Sequence, residues 1–172
     1  MKLFDVYPLF QVEPVKAQGA YLYDKEGTEY LDFYGGHAVM SVGHSHPYYV
    51  EKITNQLNNI GFYSNSVINN LQVEFAEKLG KISGYDNYSL FFCNSGAEAV
   101  ENALKVASFK TANSKILAFQ KGFHGRTSGA LQVTDGPKLK SEFNGAINTR
   151  YLPLNNLNAV SEALSEGDVA GI

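Results

Sequence analysis

Leu90-Phe91-Phe92-Cys93-Asn94-Ser95-Gly96-Ala97-Glu98-Ala99 passes from an apolar run into a helix-forming segment within a few residues. The run from Tyr88 to Cys93 has the length and apolarity of a strand buried on both faces of a parallel sheet, and Gly96 to about Lys110 reads as the helix it feeds. Such a junction gathers unpaired backbone N–H groups and the positive end of a helix dipole, and its small residues leave room for a phosphate. A second reading stays open at this point. Ser95 and Glu98 have the S-x-x-E spacing of a capping box, in which each side chain satisfies the other's backbone N–H.

Working downstream, Lys115 to Gln120 reads as the next strand, Gly122 to Thr127 as a loop, and the residues through Val133 as a short helix. Asp135-Gly136-Pro137 breaks the chain before a brief strand at Arg150 to Leu152. A helix over Asn155 to Leu164 and a nascent strand from Asp168 to Ile172 complete an alternation of strand and helix. That alternation is the signature of βαβ crossovers and of an α/β fold with a parallel sheet covered on both faces.

Upstream the pattern differs. Residues 1–18 carry Pro8 and Pro14 without a sustained period and are expected to form an irregular arm. Tyr21-Leu22-Tyr23 and Glu29 to Phe33 flank Asp24-Lys25-Glu26-Gly27-Thr28, which predicts a β-hairpin. The loop Gly35-Gly36-His37 through Gly43-His44-Ser45-His46-Pro47 should hold no regular structure until a helix begins near Pro47. Val50, Ile53, Leu57 and Ile60 mark one face of that helix; Leu71, Phe75, Leu79 and Ile82 mark a second helix from about Asn70. The expected organisation is an arm, hairpin and helix over 1–69 and the first part of a larger parallel-sheet domain over 70–172. Because the chain stops inside a nascent strand whose edge would be open, it is expected to be an incomplete piece of a longer protein.

Composition narrows the partners. With 172 residues, 44% hydrophobic and 18% charged, the chain reads as globular with one sizeable core. A net charge of -3 and a pI near 5.8 give no electrostatic reason to bind nucleic acid or an anionic membrane. No apolar run approaches the roughly 18–20 residues that span a bilayer, and Asp5 and Pro8 interrupt what a signal peptide would need, so a cytoplasmic location is expected. Cys93 has no partner for an internal disulfide and, at the end of a buried strand, should be an inert buried thiol.

Lys121-Gly122-Phe123-His124-Gly125-Arg126-Thr127 also follows an expected strand. In an open α/β sheet this loop and Asn94-Ser95-Gly96 would emerge together at the carboxyl ends of neighbouring strands, where ligands bind. Its flanking glycines let the backbone turn sharply, offering Phe123 as a stacking surface and Arg126 as a planar fork for a carboxylate or phosphate. A packed loop with a core Phe and a surface Arg fits the same residues. His44 and His46 lack a third ligand at a persuasive spacing, so no metal is expected, and His124 is not taken as catalytic.

The Asn94 to Ala99 and Gly122 to Thr127 stretches together resemble the class III pyridoxal-phosphate aminotransferases. Leu31-Asp32-Phe33-Tyr34-Gly35-Gly36-His37-Ala38-Val39 and Gly43-His44-Ser45-His46-Pro47 match further family motifs in order, so the resemblance covers essentially the whole chain. The Gly-Gly-x-Ala-Val loop and the compact N-terminal arm are most similar to the acetylornithine (or succinylornithine) subgroup. The resemblance implies a transferase of PLP fold type I, of which this chain is the N-terminal segment and the first part of the large domain. It implies that Ser95, Gly96 and Ala97 cup the phosphate of pyridoxal 5'-phosphate and that Phe123 stacks on its ring. It implies further that Arg126 grips a substrate carboxylate, with Tyr7 and His37 near the substrate. His37 departs from the apolar residue common there in acetylornithine enzymes. The resemblance also implies a cytoplasmic homodimer of arginine biosynthesis that moves the terminal amino group of an N-acylated ornithine to 2-oxoglutarate. Ornithine or 4-aminobutyrate transamination, or a non-catalytic phosphate-binding module, are the alternatives.

Aminotransfer needs a lysine that holds the cofactor as a Schiff base and an acid against its pyridine nitrogen. None of the lysines here stands in the family's context for that role, so no catalytic residue is assigned and the isolated chain is expected to be inactive.

Overall fold

A computed structural model describes residues 1–144 and 148–172. The chain divides into two units, Met1–Phe75 and Ala76–Ile172.

In the first unit, strands β1 (Pro14–Gln18), β2 (Tyr21–Asp24) and β3 (Glu29–Leu31) form an antiparallel sheet in the order β1-β2-β3. The β2–β3 hairpin is the expected one, with Tyr21 opposite Leu31. Its turn closes because Asp24 Oδ1 accepts the N–H groups of Glu26 and Thr28 at 3.0 and 2.8 Å, while Gly27 takes a φ of +83° that disfavours a side chain. The arm is more ordered than expected, since its end becomes β1 and pairs with β2. Pro14 sits at the first strand position, where a missing N–H costs the ladder little, so a proline that reads as a breaker starts a strand instead.

Gly35–Ala38 forms a single turn, α1, whose four residues have φ of +54, +59, +62 and +60°. The sequence predicts no regular structure there; the turn is left-handed, and His37 and Ala38 hold it against their Cβ atoms. Asp32 supports it. Its Oδ1 accepts the N–H groups of Tyr34 (2.9 Å) and Gly35 (2.8 Å), and its Oδ2 lies 2.7 Å from His44 Nε2. His44 in turn exchanges both backbone hydrogen bonds with Gly19 at 2.9 Å, so its role is to tie the loop to the sheet. Helix α2 (Pro47–Asn59) starts with its proline in the first turn as expected, and α3 (Asn70–Ser83) runs across the division between units. None of the described residues 1–115 is buried, so the faces marked by Val50, Ile53, Leu57 and Ile60, and by Leu71, Phe75, Leu79 and Ile82, stay open to solvent.

The second unit holds the core. Strands β4 (Lys115–Phe119), β5 (Asn148–Leu152) and β6 (Val169–Gly171) form a parallel sheet in the order β5-β4-β6. Their side chains alternate between two clusters. Ile116, Ala118 and Val133 pack with Val100 and Leu104 on one face; Leu117, Leu152 and Ala163 pack with Ala159 and Val160 on the other. Helices α4 (Gly96–Thr111) and α5 (Ser128–Val133) thus cover one face and α6 (Leu157–Ser165) the other. The chain leaves β4 for β5 and then passes to β6 on the opposite side. β4 is therefore the point of reversal, and the carboxyl end of such a strand is where open α/β sheets bind ligands.

One expectation fails. Residues Tyr88–Cys93 form no strand; both edges of β4 are taken by β5 and β6, and the run pairs with none of the three. An apolar run becomes a strand only through a partner ladder distant in sequence, and apolarity alone does not supply one. Cys93 is accordingly exposed rather than buried, with its Sγ 3.5 Å from the Ser95 carbonyl oxygen.

Candidate functional site

The amino end of α4 is built by its own sequence. Ser95 is the N-cap, extended at φ −153° and ψ 160°, and its Oγ accepts the Glu98 N–H at 3.2 Å. The reciprocal half of the expected box is shifted by one residue, since Glu98 Oε2 accepts the N–H of Asn94, at 2.5 Å, rather than that of Ser95. Among the described residues the N–H groups of Gly96 and Ala97 find no acceptor. A methyl group added at Gly96 would meet no atom within 4 Å. Two unpaired donors at a positive helix end, with open space beside Gly96, fit a phosphate. Capping and anion binding therefore use different N–H groups and do not compete.

The loop after β4 is cross-tied to the end of α5. Lys121 donates its N–H to Asp135 Oδ2 at 2.7 Å, and Asp135 returns an N–H to the Gly122 carbonyl at 3.0 Å. His124 donates its N–H to Thr134 Oγ1 at 2.9 Å, and that hydroxyl faces the carbonyls of Gly125 and Ala130 at 3.2 and 2.9 Å. Thr134 itself is 2% exposed. Held this way, the loop puts Phe123 on the surface at 64% exposure, with Arg126 also exposed, so Phe123 is not a core residue.

Two close approaches bring loop and helix end together. A Cβ at Gly125, whose φ is +132°, would lie 2.7 Å from Ala97 Cβ; a Cβ at Gly129 would lie 2.4 Å from Glu101 Oε2. The pairs repeat with the four-residue period of a helix face, Ala97 to Glu101 on α4 and Gly125 to Gly129 on the facing segment. Glu101 Oε1 accepts the N–H groups of Gly129 (2.7 Å) and Ala130 (3.2 Å). Burial acts to raise the Glu101 pKa, but hydrogen bonds from the Thr127 side chain and from the Ala130 and Gly129 N–H groups outweigh it and hold the carboxyl below its ordinary value. Ser95, Gly96, Ala97, Phe123 and Arg126 are thus carried by one assembly of α4, loop and α5. Tyr7, in the exposed arm, and His37, in the left-handed turn with a ring nitrogen 2.6 Å from the Tyr34 hydroxyl, belong to the first unit.

Sequence reasoning passed over Glu101 and Thr134. The signal at Glu101 was available: it is a carboxylate four residues after Ala97, beside Val100 and Leu104 on the face that packs against the sheet. Thr134 carried no comparable signal, because its partners are set by the fold. Among the described residues no group of three His, Cys, Asp or Glu could hold a metal, and no helix is long and apolar enough to cross a membrane.

The family profile of Aminotransferase class-III matches residues 5–168. The acetylornithine aminotransferase of Bacillus amyloliquefaciens is 39% identical over 171 residues, an alignment covering 99% of this chain and 74% of that protein. The acetylornithine aminotransferase of Archaeoglobus fulgidus is also 39% identical over 171 residues, covering 99% of this chain and 45% of its own length. Among solved structures, ornithine aminotransferase from Toxoplasma gondii superposes with a TM-score of 0.88 at 25% identity, over 98% of this chain and 41% of that one. Taurine:2-oxoglutarate aminotransferase from Bifidobacterium kashiwanohense, solved with PLP and glutamate, superposes with a TM-score of 0.86 at 24% identity, over 99% of this chain and 44% of that one. The expected α/β architecture of fold type I is the architecture of these enzymes. The chain spans less than half the length of most of these relatives.

Proposed function

The chain belongs to the class-III aminotransferases, and from that premise we propose that the whole protein transfers the terminal amino group of N-acetylornithine, or a similar acyl-ornithine, to 2-oxoglutarate in arginine biosynthesis. Pyridoxal 5'-phosphate is its cofactor and, when bound, supplies the electron sink for breaking a bond at the amine-bearing carbon. Gly96 and Ala97 hold the phosphate through their unpaired N–H groups, and the Ser95 hydroxyl adds to the cup. Phe123 covers a face of the ring and keeps water from it. The Arg126 fork binds a substrate carboxylate away from the reacting amine and so orients the amine. Tyr7 and His37 contribute to the substrate pocket. Residues 1–69 supply the arm and part of the small domain, and residues 70–172 open the large domain. The lysine that fixes the cofactor covalently lies outside these 172 residues, so this chain alone does not turn over. The working protein is a cytoplasmic homodimer.

The observation that carries this reading is the contact of Gly125 with Ala97, which joins the loop that bears Phe123 and Arg126 to the helix end that bears the unpaired Gly96 and Ala97 N–H groups. Its test is the full-length protein mixed with pyridoxal phosphate. Borohydride reduction should attach the chromophore to a lysine, and the N-acetylornithine kcat/KM should exceed those for succinylornithine, free ornithine and 4-aminobutyrate. A folded protein that retains the cofactor but never attaches it would be a phosphate-binding module instead.

A further inference from the structure

We propose that Glu101 is a positioning residue that sets how far the Phe123–Arg126 loop stands from the helix end carrying Gly96 and Ala97. The inference rests on the functional reading above for its consequence in substrate use, but its geometry stands apart from that reading. Glu101 lies four residues after Ala97, so the two share one face of α4. Ala97 meets the loop at Gly125 by van der Waals contact alone, which fixes an approach but no register. Glu101 supplies the register. Its Oε1 takes the N–H groups of Gly129 and Ala130, at 2.7 and 3.2 Å, in the first turn of the helix that continues the loop. These N–H groups are ones that a six-residue helix cannot satisfy internally, and removing the carboxylate leaves both without an acceptor.

Gly129 is the matching half of the device. Any Cβ there would stand 2.4 Å from Glu101 Oε2 and 3.1 Å from its Cδ, so only glycine allows the carboxylate to reach the backbone this closely. Val100 and Leu104, packed on the same cluster as Val133, keep α4 against the sheet without Glu101. Loss of the carboxylate is therefore expected to loosen the loop while the sheet and the amino end of α4 persist. Arg126 and Phe123 would then lose their placement while the phosphate donors at Gly96 and Ala97 keep theirs.

The test uses the full-length protein and two independent readouts. In hydrogen exchange, Glu101→Ala should speed exchange at the amides of residues 124–130 and leave those of β4 unchanged, whether or not any ligand binds. In ligand studies it should raise the KM for the amino donor about tenfold while the affinity of the apoprotein for inorganic phosphate stays within about twofold, since a displacement of order 1 Å at a positioning group is costly. Glu101→Gln, whose amide oxygen still accepts both N–H groups, should recover most of the donor KM. Gly129→Ala should resemble Glu101→Ala, and the double variant should be no worse than either, because the alanine then fills the vacated space. Unchanged exchange at 124–130, or parallel loss of donor and phosphate affinity, would overturn the proposal. If Glu101→Ala shows the exchange effect but the wild-type protein binds no pyridoxal phosphate, the functional reading fails and the positioning role stands.

Discussion

Gly125 faces Ala97 at a distance that leaves no room for a side chain: a Cβ on the glycine would stand 2.7 Å from the alanine Cβ and 3.1 Å from that of Ala130. Its φ of +132° lies where L-residues are strained, so Gly125→Ala combines overpacking with backbone strain. The expected loss is about 2–4 kcal/mol of stability, read from urea unfolding, and a wild-type midpoint would show that helix and loop are not in contact.

Gly96 is the opposite case. An added side chain there meets nothing of the protein itself, so Gly96→Val should change stability by no more than about 1 kcal/mol, the scale of helix propensity. The same branched side chain would stand in the space assigned to the phosphate. Retention of pyridoxal phosphate on dialysis should therefore fall although the fold is intact. Equal retention in the two proteins would count against Gly96 as part of the cup.

Arg126→Ala removes the fork proposed to bind the substrate carboxylate. In the full-length enzyme this should lower kcat/KM for the amino donor by the equivalent of about 2–5 kcal/mol, the range for truncating one partner of a desolvated charge pair. Cofactor absorbance should be unchanged, which separates lost substrate binding from a lost site. An unaltered kcat/KM would remove Arg126 from the substrate pocket.

How much of this was legible beforehand follows from which interactions are local. The Asp24–Gly27 hairpin turn, the Ser95 cap and the helix from Gly96 are set by residues within a few positions, and they stand where the sequence puts them. The Leu90–Cys93 run is not local in this sense, because whether it becomes a strand depends on a neighbour far along the chain. β1 was hidden for the same reason; its partner, not its own composition, makes it a strand. Phe123 and Arg126 were recognisable as residue types, but the ties that place them come from Glu101 and Thr134, which reach across 28 and 10 positions. Polar residues with such distant partners look unremarked in a sequence.

The Asp32 carboxyl gives a prediction in pH. Its hydrogen bond with His44, followed by those from the Gly35 and Tyr34 N–H groups, lowers its pKa below the ordinary carboxylate value despite the opposing effect of burial. A group with a depressed folded pKa contributes stability that is present above its unfolded pKa of about 3.9 and is lost as pH falls through the lower folded value. Stability of the first unit should therefore decline below about pH 4. Asp32→Asn should be less stable at neutral pH and show a flatter acid limb, followed by thermal unfolding from pH 3 to 7. An acid limb identical to that of the wild type would show that Asp32 is not the group titrating there.

Thr134 offers the sharpest separation of shape from hydrogen bonding. Its side chain is 2% exposed, and its hydroxyl accepts the His124 N–H while facing two carbonyls. Thr134→Val keeps the volume and removes the oxygen, leaving a backbone N–H at the centre of the loop without its acceptor. The cost should be about 1–3 kcal/mol of stability, the scale of an unsatisfied buried donor. Because the orphaned group lies between Phe123 and Gly125, the loss should fall on the loop: exchange at His124 should rise more than at β4, and donor KM should rise more than cofactor Kd. Thr134→Ser, which restores the oxygen and omits only a methyl group, should recover most of both. If serine behaves like valine, packing of the methyl group rather than the hydroxyl holds the loop.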